Sequence, residues 1–408
     1  MKNSDRAKTE TLPLQLSFDV VQQSFVVPFE YPVHFTRNLF DHKNVLLASA
    51  MNRLKEDRKH RAMVYVDQGL YEEWPDLLGS ITGYFEFRPK KLELAAPPLV
   101  IPGGEGAKSG WDTVRNIMTA IGDLHLDRQS FVVAVGGGSL LDMVGFAASI
   151  VHRGLRFIRV PTTTLAQNDA GIGVKNGMNE HGQKNFVGTF SPPFAVLNDF
   201  AFLSTLSQRD WIGGVAEAFK VAIIKDADFF EYLCDQANEL RARNIGAMET
   251  TIRHCAVLHL EHIRTNGDPF EFGSARPLDF GHWAAHKLEV MSGYTMGHGQ
   301  AVAIGLAIDS YYAMRQELIA REDFDLIIEG LLNCGLPVWS SFVEAREPDG
   351  QLEVLDGLDQ FREHLGGQLT VTLPDGIGGK IEVHELDTEL VKEAIEYLNV
   401  FADQEKRA

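Results

Sequence analysis

Cysteine is scarce: Cys234, Cys255 and Cys334 are the only three in 408 residues, and no two form a CxxC pair. That argues against a disulfide framework and a thiolate zinc site, and it fits a reducing, cytoplasmic setting. Long hydrophobic runs are missing as well. No 18-residue stretch is both free of charge and continuously apolar, and the opening MKNSDRAKTETLPLQ carries no apolar segment, so neither a membrane span nor a secretory leader is expected. Residues 1–18 read as a loose, disordered polar tail. Basic charge is also short, with 38 Lys and Arg against 56 Asp and Glu for a net charge of −18. Such a field repels phosphate backbones and anionic lipid, which speaks against nucleic acid and membrane partners. A phosphorylated small molecule would have to be held by a few placed cations. Internal repeats and low-complexity stretches are absent.

What is present is ordinary for a folded chain: 45% hydrophobic and 23% charged residues, over a length worth roughly two to three domains. Residues 17–35 alternate apolar and polar side chains and read as strands. RAMVYVDQGL at 61–70 reads as a buried strand ending in Asp67, and SFVVAVGGGS at 130–139 as a second strand that breaks into glycines. A helical pattern follows, then a strand at RFIRVPTTTL, 156–165. Strand, glycine turn, helix and strand make a βαβ unit, the building block of a parallel sheet. From about 207 the apolar residues recur at three- and four-residue spacing, and a mainly helical domain is expected. The fold class is therefore α/β: a Rossmann-like parallel-sheet domain over 19–206, then a helical domain over 207–408. Within the latter, 366–385 reads as a short strand pair before a final amphipathic helix.

Three groups of residues could carry chemistry. Gly136-Gly137-Gly138-Ser139 lies between strand and helix, where missing β-carbons let main-chain N–H groups approach a pyrophosphate. It is not GxGxxG, and a tight turn explains it equally well alone. Two further segments fall at strand ends, where ligands of open parallel sheets bind: PGGEGAKS at 102–109, with Glu105 and Lys108, and PTTT at 161–164. Asp67 could accept hydrogen bonds from a ribose or simply cap a turn. The second group is Glu217, His282 and His298. Two imidazoles and a carboxylate suit a catalytic zinc with an open position, yet spacings of 65 and 16 residues match no local zinc pattern. His286, one helical turn beyond His282, is as good a ligand on geometry. The third group is Asp169, Lys175, Lys184 and Asn185 in a Gly-rich loop at 166–186, a setting for an anionic, hydroxyl-bearing substrate.

These segments together resemble the sugar-phosphate cyclases, the family of 3-dehydroquinate synthase. The resemblance runs from about Asp67 to Gly305 through PGGEGAKS, GGGSLLDMVGFAAS, RGLRFIRVPTTTLAQNDAGIGVK, VAEAFK, FGHWAAH and GHGQAVAIG, in that order. It implies that the first domain binds NAD through Asp67, Glu105, Lys108, Gly137, Gly138, Asp142, Thr162 and Thr163. It implies zinc, or cobalt in its stead, on Glu217, His282 and His298. Lys175, Lys184, Asn185, Lys220, Arg276 and His286 match substrate-pocket positions, Lys184 being assigned to the cofactor as well, and Asp169 falls between cofactor and substrate. Arg153 matches an arginine that reaches the neighbouring subunit's site, which implies a homodimer. The implied reaction oxidises a hydroxyl to acidify the adjacent carbon, eliminates phosphate, reverses the oxidation and closes the ring by an intramolecular aldol step.

Two departures bear on the substrate. Dehydroquinate-forming members read RxxLNFGHTxxH, whereas here Arg276-Pro277-Leu278-Asp279-Phe280-Gly281-His282 puts an acid in place of the amide. Like charges 4 Å apart repel by about 4 kcal/mol at an effective dielectric near 20, which disfavours a carboxylate-bearing substrate. In place of a late lysine pair stand Arg362, Glu363 and His364. Both changes resemble the branch that cyclises sedoheptulose 7-phosphate to valiolone-type cyclitols, with Asp279 accepting a hydroxyl, although that branch loses the histidine equivalent to His286. The alternatives are a 3-dehydroquinate synthase proper, a metal-dependent polyol or glycerol-type alcohol dehydrogenase, and a non-catalytic sensor.

Overall fold

The computed structural model of the protein describes residues 22–265, 270, 277–364 and 367–401. Residues 22–30 contain no helix or strand, and the unit that follows begins at Tyr31. Its strands are β1 Val33–Thr36, β2 His60–Asp67, β3 Leu92–Leu94, β4 Leu99–Ile101, β5 Phe131–Gly136, β6 Arg156–Pro161, β7 Lys175–Glu180, β8 Gln183–Phe190 and β9 Ala195–Asp199. Seven of them form one sheet in the order β1-β9-β6-β5-β2-β3, with β4 also on β2, and every pairing in it is parallel.

The two-residue period of the strands sorts their side chains onto two faces. Ala62, Val64 and Val66 join Phe131, Val133 and Val135 in one core; Met63, Tyr65, Val132 and Ala134 face the other, packed on helix Gly138–Ile150. Parallel register aligns the carboxyl ends, pairing Gly136 with Pro161 and Asp67 with Ile101. The glycine turns and the threonines after β6 therefore share one edge.

After β9 the chain is mainly helical. Helix Gln208–Lys225 is capped by Ser207, which accepts from the Asp210 N–H. Helix Ile245–Thr265 packs on it, as does His298–Arg315, against which His282–Met291 lies. Two close approaches set this packing. A Cβ on Gly299 would stand 2.1 Å from the Gly213 carbonyl oxygen, and one on Gly305 would stand 2.0 Å from that of Gly281. Only glycine admits such contact, and it draws the helices bearing Glu217, His282 and His298 onto one point. Strands β10 Val371–Pro374 and β11 Lys380–Val383 pair antiparallel, and helix Thr388–Leu398 follows. Among the described residues no helix is long and apolar enough to cross a membrane.

Two expectations are corrected. Of the strand reading of 17–35, Val33–Phe35 lie in β1 and 22–32 are irregular, while 17–21 lie outside the described residues; Pro28 and Pro32 remove N–H donors in the irregular part. Residues 166–186 are no plain loop. Ala166–Ala170 is a π-helical turn, and β7 and β8 form an antiparallel hairpin. Its two-residue turn uses His181 at φ 51° and Gly182 at φ 70°, the left-handed pair that suits the strand twist. The tail at 1–18 lies outside the described residues.

Candidate active site

Glu217 sits mid-helix and fully buried, His282 opens its helix, and His298 is the first residue of the helix that follows. From Glu217 Oε1, His298 Nε2 is 3.1 Å and His282 Nε2 3.5 Å away, and the three candidate ligand atoms lie within 4.8 Å of one another. His286 is beside them, its ring 5.4 Å from that of His282, yet it is not in that cluster. Each clustered histidine has its other nitrogen occupied: His282 Nδ1 donates to the Phe280 carbonyl at 3.0 Å, and His298 Nδ1 to Glu289 Oε2 at 2.9 Å. Those bonds turn both Nε2 atoms toward Glu217, as in metal sites whose imidazoles are fixed from behind by an acceptor. The donor set fits a zinc or cobalt ion with room for another ligand.

The electrostatics agree. Burial works to raise the Glu217 carboxyl, but Lys220, His282 and the imidazole hydrogen bonds hold it well below the ordinary carboxylate range. Burial and Lys184 work to lower His298, yet Glu289 and Glu217 lift it to about 9. A field that favours a proton between two carboxylates also favours a dication there. Burial and the neighbouring Lys184 push His286 well below its usual value, so it is neutral at pH 7.

Lys220, one turn beyond Glu217, touches Glu217 Oε2 and lies 3.9 Å from Asp169 Oδ1. Burial opposes its charge, but Glu217 and Asp169 outweigh that and raise it, with a further contribution from Asp279. Asp169 is held in the π-helical turn, whose Asn168 donates to the Gly214 carbonyl at 2.7 Å and so ties the turn to the Glu217 helix. His259 Nδ1 lies 2.8 Å from Asp169 Oδ1. Asp279 ends the turn Pro277–Asp279, half-buried. Lys175 is exposed at the start of β7. Behind it, fully buried Arg159 donates to the carbonyls of Gly171, Gly173 and Lys175 and fixes the intervening loop. Arg276 lies outside the described residues.

The hairpin aims Lys184 at this cluster: its Nζ donates to both Glu289 oxygens at 2.7 Å and lies 3.3 Å from His298 Nδ1. Asn185, at φ 55°, accepts from Lys108 through Oδ1. Buried Lys108 also donates to Asp142 Oδ2 at 2.8 Å and is 3.4 Å from Glu105 Oε1. Burial works to raise Glu105, but Lys184, Lys108 and Asn179 bring it down to about 2.

At the sheet edge, Asp67 Oδ1 accepts from the Gly69 and Leu70 N–H groups, the capping role. Its carboxyl, raised by burial, presses on the next turn, where a Cβ on Gly103 would stand 1.8 Å from Oδ2. Gly137 caps helix Gly138–Ile150, and a Cβ on it would be 3.2 Å from Thr163 Cγ2. Thr162 is buried beside it. Bare main-chain N–H groups at a helix start fit a dinucleotide pyrophosphate. Arg153 is distant in character, exposed in the turn Val151–Arg153 at φ 61°.

Sequence reasoning missed Glu289, His259 and Arg159. Glu289 had a signal, since it lies seven residues after His282 and therefore on the same helical face. His259 had none beyond its helical pattern.

Two family models match, 3-dehydroquinate synthase N-terminal over residues 98–213 and 3-dehydroquinate synthase C-terminal over 214–355. The 3-dehydroquinate synthase of Sulfurovum sp. (strain NBC37-1) is 34% identical over 329 residues, covering 78% of this chain and 87% of its own. That of Geotalea uraniireducens (strain Rf4) is 33% identical over 326 residues, covering 76% and 88%. Among solved structures, ValA, a 2-epi-5-epi-valiolone synthase from Streptomyces hygroscopicus subsp. jinggangensis 5008 with NAD+ and Zn2+ bound, superposes with a TM-score of 0.82 at 28% identity, covering 93% of this chain and 99% of that one. An iron-containing alcohol dehydrogenase from Thermotoga maritima, at 14% identity and TM-score 0.59 over 90% of this chain and 97% of its own, shares the fold alone. By these matches and by the ordered motifs, the chain belongs to the 3-dehydroquinate synthase family of sugar-phosphate cyclases, enzymes of the carbon–oxygen lyase type.

Proposed function

We propose that the protein is an NAD- and zinc-dependent cyclase, able to use cobalt, that converts sedoheptulose 7-phosphate to a valiolone-type cyclitol with loss of phosphate. Asp279 carries this reading. It replaces the amide of dehydroquinate-forming members, three residues before His282, and its charge is felt at Lys220. A carboxylate there opposes a substrate carboxylate and accepts a hydrogen bond from a hydroxymethyl group. The likeness to ValA supports it. A second reading, 3-dehydroquinate synthase itself, is favoured by the identity to enzymes of that name.

In this reading Glu217, His282 and His298 hold the ion, and the first N–H groups of helix Gly138–Ile150, with Thr162 and Thr163, take the dinucleotide phosphates. When bound, NAD supplies reversible hydride transfer and the ion Lewis acidity at substrate oxygens. Lys220 and Lys175 stabilise negative charge as it develops on substrate oxygens. Asp169 and His259, 2.8 Å apart, form a carboxylate–imidazole pair able to hold and pass a proton beside Lys220. Asn185, Arg276 and neutral His286 orient the phosphate and ring hydroxyls. The division into a cofactor domain over 19–206 and a helical domain over 207–408, cytoplasmic residence, and a homodimer served by Arg153 belong to the same proposal.

The test supplies NAD, Zn2+ and either sedoheptulose 7-phosphate or the carboxylate-bearing C7 phosphate used by 3-dehydroquinate synthases. Phosphate, NADH and the product's mass and NMR spectrum are followed. Phosphate release from sedoheptulose 7-phosphate without net NADH is expected. Preference for the carboxylate-bearing compound would transfer the assignment to the second reading, and NADH stoichiometric with substrate would mark a dehydrogenase.

A further inference from the structure

Behind His282 lies a carboxylate that makes no contact with the cluster itself. Asp309 stands three turns along the helix that begins with His298, and it is 1% exposed. Its helical neighbours Leu306, Ala307, Ile308 and Tyr312 are buried apolar residues. No cation pairs with it among the described residues: it accepts from the Gly281 N–H at 3.0 Å through Oδ2 and from Trp283 Nε1–H at 2.8 Å through Oδ1. Burying a carboxylate on two neutral donors is costly, and here burial lifts the carboxyl to about 7 against the opposing pull of those donors.

The geometry of the donors says what the cost achieves. The Gly281 N–H belongs to the same peptide group as the Phe280 carbonyl, and that carbonyl accepts from His282 Nδ1 at 3.0 Å. One planar peptide is therefore gripped at both ends, by Asp309 on its nitrogen and by His282 on its oxygen. Withdrawing the N–H toward a carboxylate polarises the C=O and strengthens it as an acceptor. The arrangement is a carboxylate–histidine pair with a peptide inserted between the members. Gly281 permits it, for its φ of 76° is left-handed and the turn lies against Gly305. Trp283, 1% exposed, immobilises the other carboxylate oxygen.

We propose that Asp309 is a positioning residue for His282, fixing the tautomer and aim of its ring through the Phe280–Gly281 peptide group, with Trp283 as the strut that holds the carboxylate in place. The proposal rests on reading Glu217, His282 and His298 as the metal ligands.

The test uses the full-length protein in four forms: wild type, Asp309→Asn, Trp283→Phe and the double variant. Co2+ is titrated in competition with a chromophoric chelator, and the visible d–d spectrum of each Co2+ form is recorded. An asparagine has one acceptor for two donors, so Asp309→Asn weakens Co2+ binding about tenfold, the low end for an outer partner of a ligand, and shifts the spectrum. Trp283→Phe lowers the melting temperature but leaves affinity within roughly threefold. In the double variant the competing indole donor is gone, the amide oxygen serves Gly281, and affinity returns toward wild type. If Asp309→Asn does not fold, Asp309→Ala in the Trp283→Phe background answers in its place, since it leaves the Gly281 N–H without its acceptor and orphans no indole: a loss of about tenfold in affinity supports the proposal, and wild-type affinity overturns it. Wild-type affinity and spectrum in Asp309→Asn would overturn it too, while His282→Ala still lost the ion. If the wild type binds no Co2+, or His282→Ala binds it equally well, the metal-site reading falls, and this proposal with it.

Discussion

Replacing Gly305 by alanine tests whether close backbone contact assembles the cluster. The added Cβ would stand 2.0 Å from the Gly281 carbonyl oxygen, 2.8 Å from its carbon and 3.1 Å from its Cα, all main chain with no flexible end to swing away. Restoring ordinary contact requires the turn or the helix to retreat by about 1 Å. Alanine gains up to about 1 kcal/mol in helix propensity, whereas overpacking costs about 1–3 kcal/mol and more where backbone must move; a net loss near 1–2 kcal/mol is expected. The retreat also carries His282 away from Glu217, so Co2+ affinity falls together with stability. Gly83, within helix Leu77–Glu86, is the control, because a Cβ there meets nothing within 4 Å. Gly83→Ala gains the propensity and leaves Co2+ binding untouched. Urea unfolding and chelator competition on both variants decide the matter. Equal stabilisation by the two substitutions, or unchanged ion affinity in Gly305→Ala, would refute the reasoning.

Glu217→Ala or His282→Ala removes bound zinc and turnover together while NAD binding, followed by fluorescence titration, survives; full activity in a metal-free His282→Ala protein contradicts the site. Asp279→Asn relieves a repulsion of about 4 kcal/mol at 4 Å, and a third of that is about tenfold, so relative kcat/KM for a carboxylate-bearing substrate should rise at least that much; no change in preference or rate removes Asp279 from the argument. The Asp309 carboxyl, at about 7 in the fold against 3.8 ordinarily, is a raised group. Its contribution to stability is full below about pH 4 and lost as pH rises to about 7, on the order of 4 kcal/mol. Unfolding free energies at pH 5 and 7.5 should therefore differ less in Asp309→Asn than in wild type, and identical differences contradict the shift.

The sheet was legible because its signals are local. The run ending in Asp67 and the run breaking into Gly136–Gly138 fall on β2 and β5, since period-two burial and glycine turns are written within ten residues. The candidate metal cluster was not legible from spacing, because Glu217, His282 and His298 meet through contacts such as Gly299 on Gly213 that leave no periodic trace. Only the resemblance singled them out, and only the geometry separates His282 from His286. The hairpin β7–β8 was mistaken for a loop because its glycines and asparagines hid a strand pair whose turn is His181-Gly182. His259 lies 2.8 Å from Asp169, a residue on a different element with no shared period, while Glu289 and Arg159 bond across turns that no helical or strand period spans, to His298 and the 171–175 main chain.

The peptide between Phe280 and Gly281 is coded by no particular side chain. Exchanging Phe280 for another residue keeps its carbonyl, and at 281 proline alone would erase the N–H outright. Protein engineers wishing to retune the metal's affinity without altering anything that meets substrate therefore have a handle at the remote end of the relay, where carboxylate and amide differ by one charge and almost no volume.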